Sequence, residues 1–161
     1  MDAPAQQRCG PDELPRLANC SLFLQLDESC NMNQGRAASV LIVEDHDLLA
    51  RAFARVLERE AFDVHVASNV DDGLVQADAY HPDVVIVDFR MARSNGFDFM
   101  TRLRQRQAHR RTGLVMVTGS TLDEATQSGL KALGAEVRSK PISLEDFVAV
   151  VRASLDGRQS A

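Results

Sequence analysis

The sequence predicts an α/β fold, namely a doubly wound, five-stranded parallel sheet with helices on both faces. Two observations support this prediction. From residue 39 onward, short apolar runs alternate with segments of helical periodicity, as they do in successive β-α-β units. The third apolar run, within residues 83–87, is nearly continuous, which is typical of a central strand covered on both faces.

The domain begins with a strand, a helix and a second strand. Residues 39–43 contain a continuous apolar run and predict a buried strand, whereas residues 62–66 alternate with period two. Asp47 is a suitable N-cap for the helix between them. Apolar residues at i, i+3, i+4 and i+7 predict the inward face of that helix: Leu49, Ala52, Phe53 and Val56.

Two further helices surround the central strand. Residues 70–80 predict a polar helix with Leu74 and Ala77 directed inward. Gly96 begins the helix that follows the central strand. The apolar face of this helix is predicted to contain Phe99, Met100 and Leu103. Residues 113–117 are apolar and predict the fourth strand.

The last third of the domain is less apolar. Residues 121–133 predict a weaker helix, which Gly129 makes the least rigid in the chain. Residues 135–139 predict a short edge strand. Ser143 and Asp146 form an S-x-x-D capping signal before a final helix. That helix is predicted to bury Leu144, Phe147, Val148, Val151 and Leu155.

The chain divides near residue 38. Residues 1–38 lack sustained periodicity and predict a flexible leader, whereas residues 39–156 form the predicted domain and 157–161 a short tail. The segment from Met32 would serve as a protein start, so the leader can be an upstream extension of the reading frame. Three cysteines of this leader fit no zinc spacing and are interpreted as incidental thiols, with a thiol switch or metal clip as the alternative: Cys9, Cys20 and Cys30.

Composition excludes several classes of function. A formal net charge of −5 argues against a general nucleic-acid binder and gives no attraction to anionic membranes. No apolar run reaches the length of about 18 residues that a membrane span needs, and no signal peptide is evident. We therefore expect a cytoplasmic protein without nucleic-acid or membrane partners.

The basic stretch 102–111 is interpreted as a solvated helix end, with a docking patch for an acidic partner as the alternative.

Four of the five predicted strands end in chemically reactive side chains. Glu44 and Asp45 follow the first strand, Asp88 the third, Thr118 the fourth and Lys140 the fifth. Ligand sites of such sheets lie beyond the carboxyl ends of the strands, so these side chains should converge on one edge.

Three carboxylates in one pocket require either raised pKa values or a cation. Two carboxylates about 4 Å apart repel by roughly 4 kcal/mol at an effective dielectric of 20. Hard oxygen ligands in a partly hydrated pocket suit Mg²⁺, which also favours phosphate as a ligand. Asp88 is the natural candidate for a carboxylate that accepts a phosphoryl group. Lys140 can contact a phosphoryl oxygen, and Thr118 can donate a hydrogen bond to another.

Four dispersed motifs carry a resemblance to a known family. They are Glu44-Asp45, "VDFRM" with Asp88, "VTGS" with Thr118, and "KP" with Lys140. Over residues 39 to about 155, the chain resembles a receiver domain of a two-component response regulator, of the stand-alone type. The resemblance implies a flavodoxin-like sheet of strand order 2-1-3-4-5.

The resemblance also implies roles for the site residues. Asp88 would be phosphorylated by a sensor histidine kinase, and Thr118 and Lys140 would contact the phosphoryl group. Mg²⁺ would be bound by the acidic pair, by Asp88 and by the backbone carbonyl of Arg90. Arg90 and Ser120 are the expected modulatory positions. Such a domain catalyses only its own phosphorylation and dephosphorylation, so it is not expected to be an enzyme in the usual sense.

Two residues depart from the family pattern. Ala92 replaces the proline that usually follows the methionine of the phosphoacceptor loop, and Val137 replaces a switch aromatic. These changes affect the expected readout of phosphorylation and leave its chemistry intact. The resemblance further implies a cis peptide bond between Lys140 and Pro141.

Several functions are compatible with these residues. The leading hypothesis is a receiver that signals through protein–protein contacts, to a downstream target that the sequence does not identify. A second is a phosphorelay intermediate that passes the group to a histidine phosphotransfer protein. A metal-dependent phosphohydrolase is disfavoured because Arg90 occupies the place of the second acid in a D-x-D motif. A constitutive adaptor is disfavoured because Asp88 and Lys140 are intact.

Overall fold

The computed structural model describes residues 36–92 and 94–159, without the side chains of residues 158 and 159. The predicted leader up to residue 35, including its three cysteines, lies outside the described residues. Among those described, no helix has both the length and the apolar character that crossing a bilayer would require.

The central sheet has five parallel strands in the predicted order. Its strands are β1 (Ser39–Val43), β2 (Asp63–Ala67), β3 (Val84–Asp88), β6 (Gly113–Thr118) and β7 (Ala135–Ser139). Their spatial order, β2-β1-β3-β6-β7, is the predicted order 2-1-3-4-5. The labels β4 (Arg90–Met91) and β5 (Ser94–Asn95) belong to a separate antiparallel hairpin, which was not predicted.

In the described residues, four α-helices connect the strands of the sheet and a fifth follows β7. They are α1 (Asp47–Arg59), α2 (Val70–Tyr80), α3 (Gly96–Arg104), α4 (Glu124–Ala132) and α5 (Leu144–Gln159). A 3₁₀ turn, Gln107–His109, follows α3. Helix α5 continues through residues 157–159, so most of the predicted tail is helical.

Each face of the sheet carries its own apolar core. On one face, α2, α3 and α4 bury a cluster that includes Leu74, Phe99, Met100, Leu103 and Leu130. On the other, α1 and α5 bury Phe53, Leu57, Phe147 and Val151, with the Phe53 and Phe147 rings stacked 4.2 Å apart. Each such side chain contributes about 2 kcal/mol through burial.

The predicted register of α1 was wrong. The N-cap is His46, whose Nδ1 accepts a hydrogen bond from the Leu49 N–H, and Asp47 is the first helical residue. The predicted Ala52 is exposed, and Leu49 and Val56 are only half-buried. The side chains that α1 buries are Ala50, Phe53, Ala54 and Leu57.

The start of α4 and the burial of one residue of α5 also differ from the prediction. Helix α4 begins at Glu124 because the Asp123 carboxylate caps it by accepting from the Thr126 N–H. The predicted capping signal before α5 is confirmed, since the Ser143 hydroxyl accepts from the Asp146 N–H at 3.0 Å. Leu144, however, is 55% exposed rather than buried.

Candidate functional site

The first two acids lie directly beyond β1. Glu44 is buried, with 4% of its surface exposed, and its N–H donates to the Ala67 carbonyl of β2. Its Oε1 accepts from the His46 N–H at 3.2 Å, so the start of α1 also fixes this carboxylate. Asp45 is exposed at the edge of the same pocket. One residue of the pair therefore lies inside the pocket and the other at its mouth.

Asp88 is the last residue of the central strand β3 and pairs with Val117 of β6. Its side chain is 13% exposed. Glu44, Asp45 and Asp88 each offer one carboxylate oxygen, and these oxygens lie within 4.8 Å of one another. The predicted convergence of the three acids is therefore seen in the structure.

Lys140 joins two of these acids. Its Nζ lies 3.1 Å from Glu44 Oε2 and 3.2 Å from Asp88 Oδ2, and its side chain is 24% exposed. The Lys140 backbone N–H donates to the Thr118 carbonyl at 2.7 Å, which fixes the lysine relative to β6. The Lys140–Pro141 bond is cis, as predicted.

The Thr118 hydroxyl is engaged elsewhere. Thr118 is buried, and its Oγ1 accepts from the Ser120 N–H at 3.0 Å and lies 3.4 Å from the Ser120 carbonyl oxygen. The structure thus places Thr118 at the predicted edge of the sheet, with its hydroxyl hydrogen-bonded within the loop rather than to Asp88. Ser120 contributes backbone groups to this turn.

Arg90 lies in the hairpin that follows Asp88. It is the first residue of β4, pairs with Asn95 and has an exposed side chain. Its backbone carbonyl as a metal ligand stays a prediction. Gly96 closes the hairpin and must lack a side chain, because a Cβ there would lie 2.4 Å from the Asp88 carbonyl oxygen.

A cleft of about 720 Å³ adjoins the acidic pocket. It lies between α4 and β7, and Thr118 and Lys140 belong to both sites. Half-buried Val137 lines the cleft where the family pattern has an aromatic side chain. Other residues that line it include Ser120, Leu122, Gln127, Lys131 and Ala135.

The pocket fits a small divalent cation. Its three carboxylates face a single ammonium group among the described residues, so negative charge remains in excess. Carboxylate oxygens at a partly exposed mouth are the ligands that Mg²⁺ prefers.

Two backbone donors of the site were not predicted from the sequence. The His46 N–H donates to Glu44, and the Ala92 N–H donates to Asp45 Oδ2 at 2.5 Å. No side-chain pattern signals a backbone donor, so these contacts become visible only in the fold.

Comparisons with known proteins agree with this architecture. The family model of the response regulator receiver domain matches residues 40–152. The transcriptional regulatory protein TrcR of Mycobacterium tuberculosis is 29% identical over 121 residues, which are 75% of this chain and 46% of the relative. The transcriptional regulatory protein SrrA of Staphylococcus aureus is also 29% identical over 121 residues, 75% of this chain and 49% of its own. The chain thus spans about half the length of the curated relatives it matches.

Solved structures show the same fold. The chemotaxis response regulator CheY4 of Vibrio cholerae has a TM-score of 0.68 and 26% identity, over 74% of this chain and 100% of its own. A CheY-like receiver domain protein from Methanospirillum hungatei has a TM-score of 0.69 over 78% of this chain and 98% of its own, at 20% identity. With a family match over most of its length, the chain belongs to the response regulator receiver domain family.

Proposed function

We propose that this chain accepts a phosphoryl group on Asp88 from a sensor histidine kinase and signals through protein–protein contacts. Membership of the family implies phosphorylation-dependent signalling with a histidine kinase or phosphotransfer partner, and receiver domains generally bind Mg²⁺ at an acidic site. The observation that carries the proposal is the Lys140 ammonium between Glu44 and Asp88.

The chemistry is a phosphoryl transfer from nitrogen to oxygen. The N–P bond of a phosphohistidine breaks, and an O–P bond to an Asp88 carboxylate oxygen forms. Mg²⁺, held by Glu44, Asp45 and Asp88, would neutralise charge on the phosphoryl oxygens. Lys140 would orient the Asp88 carboxylate beforehand and then bind a phosphoryl oxygen.

The output signal would arise because the phosphoryl group competes with the present partners of Lys140 and Thr118. A phosphoryl group adds up to about two negative charges at Asp88, so Lys140 would exchange its contact with Glu44 for one with a phosphoryl oxygen. The Thr118 hydroxyl, which donates to the Ser120 carbonyl oxygen at 3.4 Å, would donate to a phosphoryl oxygen instead. Both residues line the cleft between α4 and β7, so we propose that this cleft and the neighbouring α5 form the responding face.

We also propose how far the catalysis and the partners of the domain extend. The domain would catalyse only its own phosphorylation and dephosphorylation, since the pocket holds its own nucleophile, Asp88. The relatives' names describe them as transcriptional regulatory proteins, so the absence of a nucleic-acid partner stays a prediction for this chain.

The direct test is incubation with a small acyl-phosphate donor and Mg²⁺, followed by intact-mass analysis. We expect the mass of one phosphoryl group to be added to the wild type and none to Asp88→Asn. A histidine-phosphorylated donor protein should give the same result. Equal labelling of Asp88→Asn would contradict the assignment of the phosphoacceptor.

A further inference from the structure

Among the described residues of the β4–β5 hairpin, the backbone of Ala92 contacts the acidic pocket. The Ala92 N–H donates to Asp45 Oδ2 at 2.5 Å, across 47 residues of sequence. Ala92 directly follows Met91, the last residue of β4, and the hairpin pairs Met91 with Ser94. The hydrogen bond therefore links the loop after the phosphoacceptor to the acid at the mouth of the pocket.

Donors are distributed unevenly over the three carboxylates. Glu44 accepts from Lys140 Nζ and from the His46 N–H, and Asp88 lies 3.2 Å from the same ammonium group. Lys140 makes no ion pair with Asp45. In the part of the chain that the structure describes, the Ala92 N–H is the donor that fixes Asp45.

A fixed donor matters for an exposed carboxylate. An aspartate at the mouth of a pocket can rotate about its side-chain torsions, and ordering it on cation binding costs conformational entropy. A backbone N–H has no rotamers of its own, so it orders the carboxylate in advance. The hydrogen bond occupies one lone pair of Oδ2 and leaves Oδ1 available to a cation.

We propose that the Ala92 N–H is a positioning group for the cation site: it orients Asp45 and so raises the affinity of the pocket for Mg²⁺. The proposal deepens the proposed function and rests on it, because it requires that this pocket bind Mg²⁺. Partners that orient metal ligands typically account for about 10- to 100-fold in metal affinity.

The test uses a substitution that deletes the N–H. Ala92→Pro removes the donor, and position 92 is exposed and follows an extended residue, which suits proline. The conservative variant Ala92→Ser keeps the N–H. Mg²⁺ affinity of the unphosphorylated full chain would be measured by titration calorimetry. We expect Ala92→Pro to bind Mg²⁺ about 10-fold more weakly and Ala92→Ser to bind as the wild type does.

A second measurement does not depend on Ala92→Pro folding. The solvent exchange of the Ala92 amide proton, followed by NMR without Mg²⁺, should be several-fold faster in Asp45→Ala than in the wild type. Unchanged exchange, or equal Mg²⁺ affinity of Ala92→Pro and Ala92→Ser, would overturn the positioning role while leaving the metal site intact. A wild type that binds no Mg²⁺ would overturn both this role and the proposed cation site.

Discussion

At the scale of single residues, the Lys140 ammonium group bridges two of the three carboxylates in the acidic pocket. Glu44 and Asp88 have side-chain exposures of only 5% and 13%, and both contact Lys140 Nζ. Removing one partner of a largely buried ion pair leaves an uncompensated charge and costs several kcal/mol.

We therefore predict that Lys140→Met lowers the free energy of unfolding by about 3 kcal/mol in EDTA. Mg²⁺ would supply the missing positive charge and restore part of this loss. Urea denaturation with and without Mg²⁺ measures both effects, with the wild type as the reference. An identical loss in the two conditions would argue that the lysine and the cation do not share these carboxylates.

Arg90 provides a second prediction at this scale. Its exposed side chain lies two residues past Asp88, on a hairpin that is also tied to Asp45. A guanidinium group there can pair with the phosphoryl group and obstruct the attacking water. We expect Arg90→Ala to shorten the lifetime of the phosphorylated state, as measured by the loss of label after the donor is removed. Arg90→Lys serves as the charge-matched control, and an unchanged or longer lifetime in Arg90→Ala would refute this role.

The residues of the pocket were predictable because their side chains follow predicted strands. Four polar positions at strand ends, with Glu44 and Lys140 far apart in sequence, converge once the sheet is parallel. The backbone donors were not predictable, because every residue except proline has an N–H and only the fold decides which one is used. Ala92 illustrates this point: it replaces the family's proline, which has no N–H, and only the structure shows that its N–H donates to Asp45.

At the scale of elements, α4 packs against α3 through a glycine. A Cβ on Gly129 would lie 2.6 Å from the Phe97 ring, so the absence of a side chain lets the two helices approach. Phe97 directly follows Gly96, which packs on the Asp88 carbonyl. Gly129 thus has a packing role in addition to the low helix propensity from which a weak helix was predicted.

We predict that Gly129→Ala destabilises the protein by about 1 kcal/mol, because the overpacking cost exceeds the gain in helix propensity. The same substitution in a Phe97→Leu background should be neutral or stabilising, since the ring that it would strike is gone. Chemical denaturation of the four proteins forms a double-mutant cycle. A stabilising Gly129→Ala in the wild-type background would show that α4 does not need this close approach.

The basic stretch 102–111 is mostly compensated within the domain. Arg102 pairs with Asp71 and Asp98, and Arg106 pairs with Asp78. Arg104 donates to backbone carbonyls, including those of Thr112 and Leu133. These contacts favour a structural role over a docking patch for acidic partners.

Asp78 allows a test of this network by pH. Burial by itself raises the pKa of Asp78, but hydrogen bonds from Arg106 and buried His109 outweigh it and hold the pKa below its usual value. A carboxyl group whose pKa is lower in the folded state stabilises the protein above its unfolded pKa of about 4, and this stability is lost as the pH falls through the folded pKa.

We predict that Asp78→Asn lowers stability at pH 7 by less than about 1 kcal/mol, because the Asp78 side chain is 52% exposed and solvent screens the pair. The variant keeps an acceptor for His109 and removes the charge together with the oxygen that accepts from Arg106. The difference from the wild type, measured by urea denaturation from pH 7 to pH 3, should shrink below about pH 4. A difference that stays constant over this range would contradict the electrostatic explanation.

At the scale of the whole molecule, the alternation of strand and helix was sufficient to predict the topology. Apolar strands buried on both faces, such as β3, can be recognised from their own sequence, without knowing which strands pair with them. The register of α1 could not be recognised from the sequence. Small residues such as Ala50 and Ala54 are buried only because α1 packs closely on the sheet and α5. The β4–β5 hairpin lacks an apolar run, so nothing in its pattern indicated strands.

The arrangement of the sheet also determines which part of the molecule can respond. Thr118 ends β6 and Lys140 directly follows β7, the strand at one edge of the sheet, and their backbones are joined by a hydrogen bond of 2.7 Å. Strand β2 lies at the opposite edge and ends in Ala67, without a group that could contact a phosphoryl oxygen. The response should therefore be one-sided.

We accordingly predict that phosphorylation changes amide hydrogen exchange mainly in residues 118–145. Lys140 would exchange its contact with Glu44 for one with a phosphoryl oxygen, and the Thr118 hydroxyl would donate to a phosphoryl oxygen instead of the Ser120 carbonyl. The loop before α4 would thereby lose one of the hydrogen bonds that close it. Helix α4 buries only Leu130 fully among its described residues, so its local opening costs little free energy. Exchange would be measured by mass spectrometry with the acyl-phosphate donor and Mg²⁺ present. Asp88→Asn treated in the same way should show no change, and changes confined to residues 62–80 in the wild type would mean that the signal leaves through the other edge of the sheet.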